Sequence, residues 1–579
     1  METVDAWRET VMRGVRELGL LRRAWQVQLA DGTVALEGQL SIADHTVTVT
    51  IHVDPILRNQ LPLVYLHPWD ALGFIPHVDP SGLVCYLDQE GLLLDRRRPA
   101  AIVGDALDHV RRTLEDGLSG ANQRDFVDEF DVYWQRLPGC VQALSTLEPV
   151  GAPTEVVVAE YGDPRVSARL APDVRAIWHV PSTSGATGPW AAAPALLVPL
   201  APETVVVPPR QDRPFWDLAA VRGLLARCAP EHQERVAALL QQRARRREYL
   251  IIQLQRPSGD VTHFGIRFDG VGSVHPLLDG GSADSLTPIA VAPRQRSYLV
   301  QRGGGHMELG ERRVLLLGCG AVGGFLAFNL THAGLGHLAT VDPDTLAPEN
   351  TYRHVLGRRQ WGKNKALALA HTIPLDLPYT RVTGIPLTIE AAIAHGRVDL
   401  ASFDLIISAL GNPTSELALN EQVRHLNAGP PVIFTWVDPF GIGGHAVLTG
   451  AGGEPGCFEC LYTPPQDTPE ALLHNRASFA APGQSFRRSL AGCGSLYTPY
   501  GVIDAEQTAQ LAARIALDVL LGVDARNRLR SWKGSARAFL AEGFQLSERY
   551  TMRADKLEAQ EMAYPSPRCP VCSTPSRQP

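Results

Sequence analysis

A chain of 579 residues is too long for a single hydrophobic core, so we expect about three or four domains. Its 45% hydrophobic and 20% charged residues are typical of a soluble globular protein, and its net charge of −7 gives no reason to expect nucleic-acid binding. The apolar runs are short, and the first residues lack the basic-then-apolar pattern of a leader. We therefore expect a cytoplasmic protein that does not span a membrane.

Residues 1–145 are predicted to form a small α+β domain. Apolar residues at helical spacing predict a helix over residues 2–21, and alternating residues predict strands over 25–53 with a turn at Asp31 and Gly32. A second helix is predicted over 99–118, and the segment 126–134 closes the domain.

Cys85 stands in this domain, in an irregular segment rich in Gly and Pro. A free cysteine is most often a small buried hydrophobic residue, but in such a loop it is also a candidate nucleophile. The segment resembles the active-site loop of ubiquitin-conjugating enzymes, in which His-Pro-Asn and a turn with Gly precede the cysteine. The matching positions are Pro76, Gly82 and Val84. Ile75 replaces the family His and His77 replaces the family Asn, whose support of the loop and the oxyanion an imidazole N–H would have to provide.

The composition changes over residues 146–300, where Pro and Ala become frequent. We expect an extended or loosely built connector with some strands, a pair of helices over 214–248 and a two-stranded hairpin over 249–268. The basic run over 243–247 is interpreted as a solvated helix end rather than as a nucleic-acid patch. No chemistry is assigned to this region.

The stretch that organises the rest of the chain is an apolar strand over 314–317 and the glycines after it. Gly318, Gly320 and Gly323 allow a tight turn and a close approach to phosphate, and the helix that follows offers free N–H groups. A second strand ends at Asp342 and Asp344. The pattern predicts a nucleotide-binding βαβ unit of Rossmann type, which dehydrogenases also contain.

The residues after this unit favour ATP over a nicotinamide cofactor. Asn350, Arg353 and Lys365 follow the two acids, and a dehydrogenase has no need for an amide and cations at these positions. A site that handles ATP needs them, because negative charge grows on phosphate during transfer.

The same spacing resembles the superfamily of ubiquitin-activating enzymes and the bacterial ThiF-like activators of sulfur-carrier proteins. The resemblance implies a Rossmann-like adenylation domain over residues 301–579 that uses ATP and Mg²⁺. Its phosphate loop would comprise Gly318, Gly320 and Gly323. Asp342 would bind the ribose, and Asn350 would lie near the phosphates. Arg353 and Lys365 would stabilise the developing charge.

Two family positions do not match. Ala321 replaces one glycine of the phosphate loop. The Asp that helps to hold Mg²⁺ in the family corresponds here to Gly411, so another acid would have to serve. Asp344 and Asp438 are the candidates.

Two Cys-x-x-Cys pairs follow, and they consist of Cys457, Cys460, Cys569 and Cys572. Four thiolates satisfy tetrahedral Zn²⁺ and leave no open position for chemistry, so we predict a structural zinc site. Disulfide pairing is the alternative.

Cys493 lies between two glycines ahead of a helix expected over 505–521, where its thiol is little shielded and a lowered pKa is expected. Packing at the helix entry is the alternative interpretation. Related activators carry an acceptor cysteine in the comparable stretch, which implies that Cys493 is a nucleophile. The remaining cysteines, Cys140, Cys228 and Cys319, are interpreted as ordinary packed thiols.

The two domains together resemble the fused activating and conjugating proteins of type II CBASS antiphage systems. The resemblance implies that the chain adenylates the C-terminal carboxylate of a partner, passes the acyl group from Cys493 to Cys85 and joins it to an amine. In those systems the partner is a cyclic-oligonucleotide synthase. The family also implies a homodimer, in which Arg296 or Arg302 would reach the neighbouring nucleotide.

Three alternatives remain open from the sequence. The same relay would also suit a bacterial ubiquitin-like protein. Activation of a sulfur carrier leaves residues 1–145 unexplained. A non-catalytic nucleotide-binding scaffold is suggested by Gly411 and by the altered loop before Cys85.

Overall fold

The computed structural model describes residues 4–29, 34–52, 60–160, 168–180, 191–241, 245–426, 428–450, 455–463, 474–489 and 496–573. The chain divides into two compact units, Met1–Gln295 and Arg296–Pro579. The turn expected at Asp31 and Gly32 and the candidate nucleophile Cys493 lie outside the described residues. Within the described ranges, no helix is both long and apolar enough to cross a membrane.

The first unit begins with a four-stranded antiparallel sheet on which two helices pack. Its elements are α1 (Val4–Leu18), β1 (Arg22–Gln28), β2 (Val34–Ile42), β3 (His45–His52), β4 (Val64–His67) and α2 (Pro99–Ser119), with the strands in the order β1-β2-β3-β4. Helix α2 begins at a proline and ends at Gly120 in the left-handed conformation, the usual residues for the two ends of a helix. Its apolar stripe joins the inner faces of the strands in one core. The predicted helices and strands of this part are confirmed.

A closed barrel of seven strands follows in the same unit. The elements are α3 (Asp125–Asp128), α4 (Phe130–Gln135), β5 (Val141–Ser145), β6 (Thr154–Glu160), β7 (Ala168–Ala171), β8 (Ala191–Pro199), α5 (Leu218–Leu225), α6 (Pro230–Gln241), β9 (Arg247–Gln255), β10 (Val261–Asp269) and β11 (Ser285–Pro293). The strand order is β10-β11-β5-β7-β6-β8-β9. Alternate residues such as Leu197 and Ile251 fill one face of the strands, while Leu196 and Leu250 pack on the other with α4, α5 and α6.

The expectation of a loosely built connector over residues 146–300 is therefore wrong, although the helix pair and the hairpin within it are present as α5, α6, β9 and β10. The barrel closes because β5 pairs in parallel with β11, far away in the sequence. Local periodicity carries no information on such a pairing. The Ala- and Pro-rich β8 reads as irregular in sequence, yet it forms a central strand between β6 and β9.

The second unit is built on a seven-stranded sheet in the order β14-β13-β12-β15-β16-β17-β20. Its main strands are β12 (Arg313–Leu317), β13 (His337–Val341), β14 (Arg381–Ile385), β15 (Leu405–Ser408), β16 (Val432–Val437), β17 (Gly443–Thr449) and β20 (Arg528–Lys533); β18 (Arg488–Ser489) and β19 (Leu496–Tyr497) form a separate pair. The first five strands of the order are parallel, β17 runs antiparallel to them, and β20 pairs antiparallel with β17. The predicted Rossmann-like α/β fold is confirmed.

Helices cover both faces of this sheet. They are α7 (Arg296–Arg302), α8 (Ala321–His332), α9 (Lys365–Asp376), α10 (Ile389–Ala394), α11 (Pro413–Arg424), α12 (Val502–Leu520), α13 (Arg537–Ala541), α14 (Glu548–Thr551) and α15 (Ala554–Ala559). One core contains α8 and α12, and a second core lies on the other face of the sheet. The strand order reverses between β12 and β15, so the turns after β12, β13 and β15 meet at one edge, where ligands of such sheets bind.

Candidate functional site

The turn between β12 and α8 brings backbone amides to this edge. Gly318 has a φ of 83°, and a Cβ atom there would lie 2.6 Å from the carbonyl oxygen of Ala409. A Cβ atom on Gly323 would lie 1.8 Å from the carbonyl oxygen of Gly318. Only glycine fits either position. Gly320 precedes α8 without a side-chain cap, so the first N–H groups of the helix are left for a ligand.

Asp342 follows β13 and joins two loops of the site. One carboxylate oxygen accepts a hydrogen bond from the Cys319 amide at 2.6 Å, and the other accepts one from the Asp344 amide at 2.8 Å. The side chain is buried, so these charge-assisted bonds hold the phosphate loop firmly against the acidic loop. Each oxygen keeps a second lone pair, and ribose binding by Asp342 stays a prediction.

Lys365 opens α9 and directs its charge to the acidic loop. Its Nζ lies 2.9 Å from Oδ2 of Asp344, whose side chain is 67% exposed, whereas that of Lys365 is 11% exposed. Asn364 positions the lysine, a contribution that the sequence analysis missed. Its Oδ1 accepts from the Leu367 amide as the helix cap, and its Nδ2 donates to the carbonyl oxygens of Asp342 and Asp344. The sequence did contain a signal for this role, because Asn immediately before a helix is a strong capping residue.

Asn350 and Arg353 occupy one tight turn after the acidic loop. The side-chain oxygen of Asn350 accepts from the Ala347 amide at 3.1 Å, and its carbonyl accepts from the Arg353 amide at 3.0 Å. The guanidinium of Arg353 lies over the ring of Tyr500, 5.4 Å from its centre. This cation–π contact helps to hold the planar guanidinium in place. The predicted amide and cations are thus positioned by elements of the same sheet edge as the phosphate loop.

Gly411 stands at the end of β15 in the left-handed conformation, with a φ of 64°. Beneath it lies Glu416, a buried acid that the sequence analysis did not identify. Its Oε1 accepts from the Ser408 hydroxyl at 2.8 Å. Burial raises the pKa of Glu416 to about 8, against the opposing effect of hydrogen bonds from Ser408 and the backbone of Gly411 and Leu410. A largely neutral buried carboxyl supports the turn but is a poor magnesium ligand.

Asp438, the second candidate acid for Mg²⁺, is buried and accepts three hydrogen bonds. Its oxygens accept from Nε2 of His445 at 3.0 Å, from the Ser478 hydroxyl at 3.0 Å and from the Phe479 amide at 2.6 Å. This network fixes the segment after residue 474 to the sheet. Asp344 is left as the exposed acid beside the predicted cations.

Four cysteine sulfurs meet at one point, as the two Cys-x-x-Cys pairs predict. Cys457 and Cys569 are 3.5 Å apart at Sγ, Cys460 and Cys572 are 3.3 Å apart, and all four sulfurs lie within 4.8 Å of one another. A disulfide needs about 2.05 Å, so these cysteines are not oxidised pairs. The cluster has the donor number and softness that tetrahedral Zn²⁺ requires.

Cys85 lies exposed at the end of an irregular loop in the first unit. Its amide donates to the carbonyl oxygen of His77 at 2.8 Å, and the neighbouring Val84 amide donates to Val64 at 2.9 Å. Gly82 has a φ of 90°, and a Cβ atom there would lie 2.4 Å from the Leu66 carbonyl oxygen. The loop is therefore held to β4, and the thiol projects from a fixed backbone.

His77 does not offer an N–H to an oxyanion, contrary to the role that the family comparison would require. Its Nδ1 lies 2.9 Å from Glu129 and its Nε2 lies 2.8 Å from Asp125, so both ring nitrogens are occupied by carboxylates. These hydrogen bonds, led by that of Glu129, outweigh burial and raise the pKa of His77 to about 9. The stabilisation is complete below the ordinary histidine pKa near 6.5 and is lost as pH rises through about 9. The two ion pairs also hold His77 itself in the left-handed conformation, at a φ of 65°.

The surroundings raise the pKa of the Cys85 thiol. Although the residue as a whole is exposed, partial desolvation of its thiol is the largest cause, and the negative charges of Glu129, Asp88 and Asp79 add to it. A thiol in such a setting is mostly protonated at neutral pH. It suits a group that accepts an acyl chain by thioester exchange and resists indiscriminate alkylation or oxidation.

The remaining cysteines and Arg296, which the sequence analysis also considered, contribute to packing and hydrogen bonding. Cys228 and Cys319 are buried and Cys140 is partly buried, as expected of packed thiols. Arg296 donates to the Gly334 carbonyl oxygen at 2.8 Å and so fixes α7 within its own unit.

Two family models match the chain. Residues 28–139 match Prokaryotic E2 family B, and residues 294–538 match the ThiF family. The first match contains Cys85, and the second contains the phosphate loop, Asp342 and Lys365. Most of the barrel lies between these two matched ranges.

Similarity to curated relatives extends along most of the chain. A protein of Pseudomonas aeruginosa called ATP-dependent ubiquitin transferase-like protein Cap2 is 26% identical over 528 residues, which are 85% of this chain and 89% of that protein. A protein of the same name from Escherichia coli is 23% identical over 82% of this chain and 86% of its own length. Among solved structures, Escherichia coli MccB with ATP matches 48% of this chain and 69% of its own, at 19% identity and a TM-score of 0.31.

The two family models agree with the fold of the two regions that they match. The chain thus combines a domain that matches Prokaryotic E2 family B with a later domain that matches the ThiF family, and it is an enzyme of the E1/E2-like kind.

Proposed function

We propose that the protein adenylates the C-terminal carboxylate of a partner protein and transfers the acyl group through two cysteines to an amine. The observation that carries this proposal is the Lys365–Asp344 pair, 2.9 Å apart, on loops that Asn364 and Asp342 tie to the phosphate loop. A cation and an exposed acid beside free helix amides suit a triphosphate with its Mg²⁺.

The first step forms an acyl-adenylate. A carboxylate oxygen of the partner attacks the α-phosphorus of ATP, the bond to the β-phosphate breaks, and pyrophosphate leaves with the bonding electrons. The amides at the start of α8 and the side chains of Arg353 and Lys365 stabilise the charge that moves onto the phosphate oxygens. Asp344 would hold Mg²⁺, which would neutralise charge on the leaving group, because Asp438 is buried and already accepts three hydrogen bonds and Glu416 is largely neutral.

The next steps move the acyl group between thiols. Cys493 attacks the acyl-adenylate as a thiolate and releases AMP. Cys85 then loses its proton and attacks the thioester, and the bond to Cys493 breaks, which leaves a Cys493 thiolate that takes up a proton. An amine attacks the Cys85 thioester, loses a proton and releases the thiol, which leaves an amide. Having both cysteines in one chain raises their effective concentration and favours transfer over hydrolysis.

The partner is proposed to be a cyclic-oligonucleotide synthase of an antiphage operon, and the active form is proposed to be a homodimer. The similarity along most of the chain to ubiquitin transferase-like proteins supports the conjugation chemistry. A ubiquitin-like protein is the alternative substrate. Proteins encoded beside this gene supply the candidates, and the one that supports ATP–pyrophosphate exchange is the partner. Exchange with none of them would favour a nucleotide-binding scaffold.

Lys365→Ala is expected to lower the rate of ATP–pyrophosphate exchange with that partner by about 100-fold, because one cation that stabilises the developing charge is removed. Lys363→Ala is the matched control. Lys363 stands two residues away with an exposed side chain, and its backbone carbonyl, which accepts from Leu346, is retained. Equal rates of ATP–pyrophosphate exchange for the two variants would contradict a role of Lys365 at the phosphate site.

The reactivity of Cys85 is expected to depend on its acidic neighbours. Alkylation of Cys85 by iodoacetamide should rise steadily with pH and reach its plateau above the ordinary thiol pKa, since burial and the carboxylates favour the protonated form. Asp88→Asn should speed alkylation at pH 8 by about twofold, because one negative charge is lost while the side-chain oxygen that caps Glu90 is kept.

Asp95→Asn is the control for this experiment, since Asp95 makes the same type of turn with Arg97 and does not contribute to the pKa of Cys85. Peptide mass spectrometry after timed labelling gives the rates. A plateau below pH 8 in the unmodified protein would contradict the described environment.

The four-cysteine cluster is expected to hold one Zn²⁺ per chain as a structural ion. Cys460→Ser should lower the zinc content and the thermal unfolding midpoint, since structural zinc contributes directly to folding free energy. Cys228→Ser, a buried cysteine of the first unit, should keep the zinc. Elemental analysis and thermal unfolding measure both effects, and zinc retained in full by Cys460→Ser would argue against the assignment.

A further inference from the structure

His354 lies between the phosphate loop and the turn that carries Arg353. Its side chain is buried, with 6% of the residue exposed. Nε2 lies 2.7 Å from the carbonyl oxygen of Cys319, and Nδ1 lies 3.0 Å from the amide nitrogen of Leu356. An amide can only donate, so Nδ1 is the acceptor and Nε2 carries the proton that is donated to Cys319. The ring is a neutral imidazole with both nitrogens used.

The contact with Cys319 fixes the centre of the phosphate loop. Cys319 lies between Gly318 and Gly320, and its amide already donates to Asp342. His354 holds the other end of the same residue through the carbonyl oxygen. The two flanking glycines are the most flexible residues of the loop, so these two bonds determine which way its amides face.

The backbone of His354 is equally fixed. The amides of Arg353 and His354 donate to the carbonyl oxygen of Asn350, at 3.0 and 2.9 Å. The imidazole therefore connects the turn of Asn350 and Arg353 directly to the phosphate loop. A shift of either segment would have to break a buried hydrogen bond and leave a polar group without its partner.

We propose that His354 is a positioning residue that aligns the phosphate loop with Arg353 for binding of the ATP triphosphate. The inference rests on the proposed adenylation function and adds a residue to it. His354 acts through the Cys319 carbonyl and through its chain neighbour Arg353, and it needs no contact with the nucleotide.

The neutral state of the ring is part of this role. Burial lowers the pKa of His354, and the charges of Lys365 and Arg353 act in the same direction, while the Cys319 carbonyl and Asp342 oppose them. A proton on Nδ1 would face the Leu356 amide, a donor against a donor. Because the folded pKa is depressed, the stabilisation is present above the ordinary histidine pKa and declines as pH falls below it.

The test compares the affinities of the full-length protein for ATP with Mg²⁺ and for adenosine, measured by calorimetry. His354→Leu is expected to weaken ATP binding by about tenfold and to leave adenosine binding within about twofold, since only the phosphates depend on the loop. His354→Gln supplies a donor and an acceptor without a titratable group, and should restore ATP affinity to within about threefold. His371→Leu, an exposed histidine on α9, is the control.

The pH dependence separates positioning from a general effect on folding. As pH falls below the ordinary histidine pKa of 6.5, ATP affinity should fall further in the unmodified protein than in His354→Gln, because only a histidine at this position can gain a proton. Equal losses for ATP and adenosine in His354→Leu, or unchanged ATP affinity, would overturn the inference. An unmodified protein that does not bind ATP would instead overturn the proposed function.

Discussion

The proposed nucleotide site depends on one buried carboxylate. Asp342 accepts hydrogen bonds from the Cys319 and Asp344 amides, and so joins the loop after β12 to the loop after β13. Asn364 then ties the acidic loop to the start of α9, which carries Lys365. The charged groups need this support because phosphoryl transfer is faster when the cations are already in position. The reaction is slower when the cations must first become ordered.

Much of this site was predictable because its parts are encoded as local spacing. Glycines that avoid the carbonyls of Ala409 and Gly318, an acid at a strand end and a lysine at a helix start can all be read along the chain. His354 and Glu416 were missed because their roles come from contacts. His354 is identified by the Cys319 carbonyl 35 residues away, and Glu416 by its burial beneath Gly411. The barrel was missed for the same reason, since β5 pairs with the distant β11.

The conjugating-type loop shows how a changed residue can take a different structural role. In the family, an Asn at this position supports the loop with its amide. Here His77 takes the position, and its two ring nitrogens form ion pairs with Asp125 and Glu129. The backbone carbonyl of His77 still holds the Cys85 amide. The loop is thus fixed by charge from the helical segment behind it, and Glu129 also contributes, after burial, to the raised pKa of the Cys85 thiol. In the proposed relay, Cys85 would react with a thioester delivered to it and would not depend on a lowered pKa.

The central claim is a two-cysteine relay that begins with adenylation, and intact-mass spectrometry of the enzyme tests it most directly. The protein is incubated with ATP, Mg²⁺ and the partner that supports exchange, and the adducts are analysed with and without reductant. The account predicts a reductant-sensitive adduct that Cys85→Ala confines to Cys493 and that Cys493→Ala abolishes, with Cys140→Ala behaving like the unmodified protein. Conjugate formation that is unaffected by either Cys85→Ala or Cys493→Ala would contradict it.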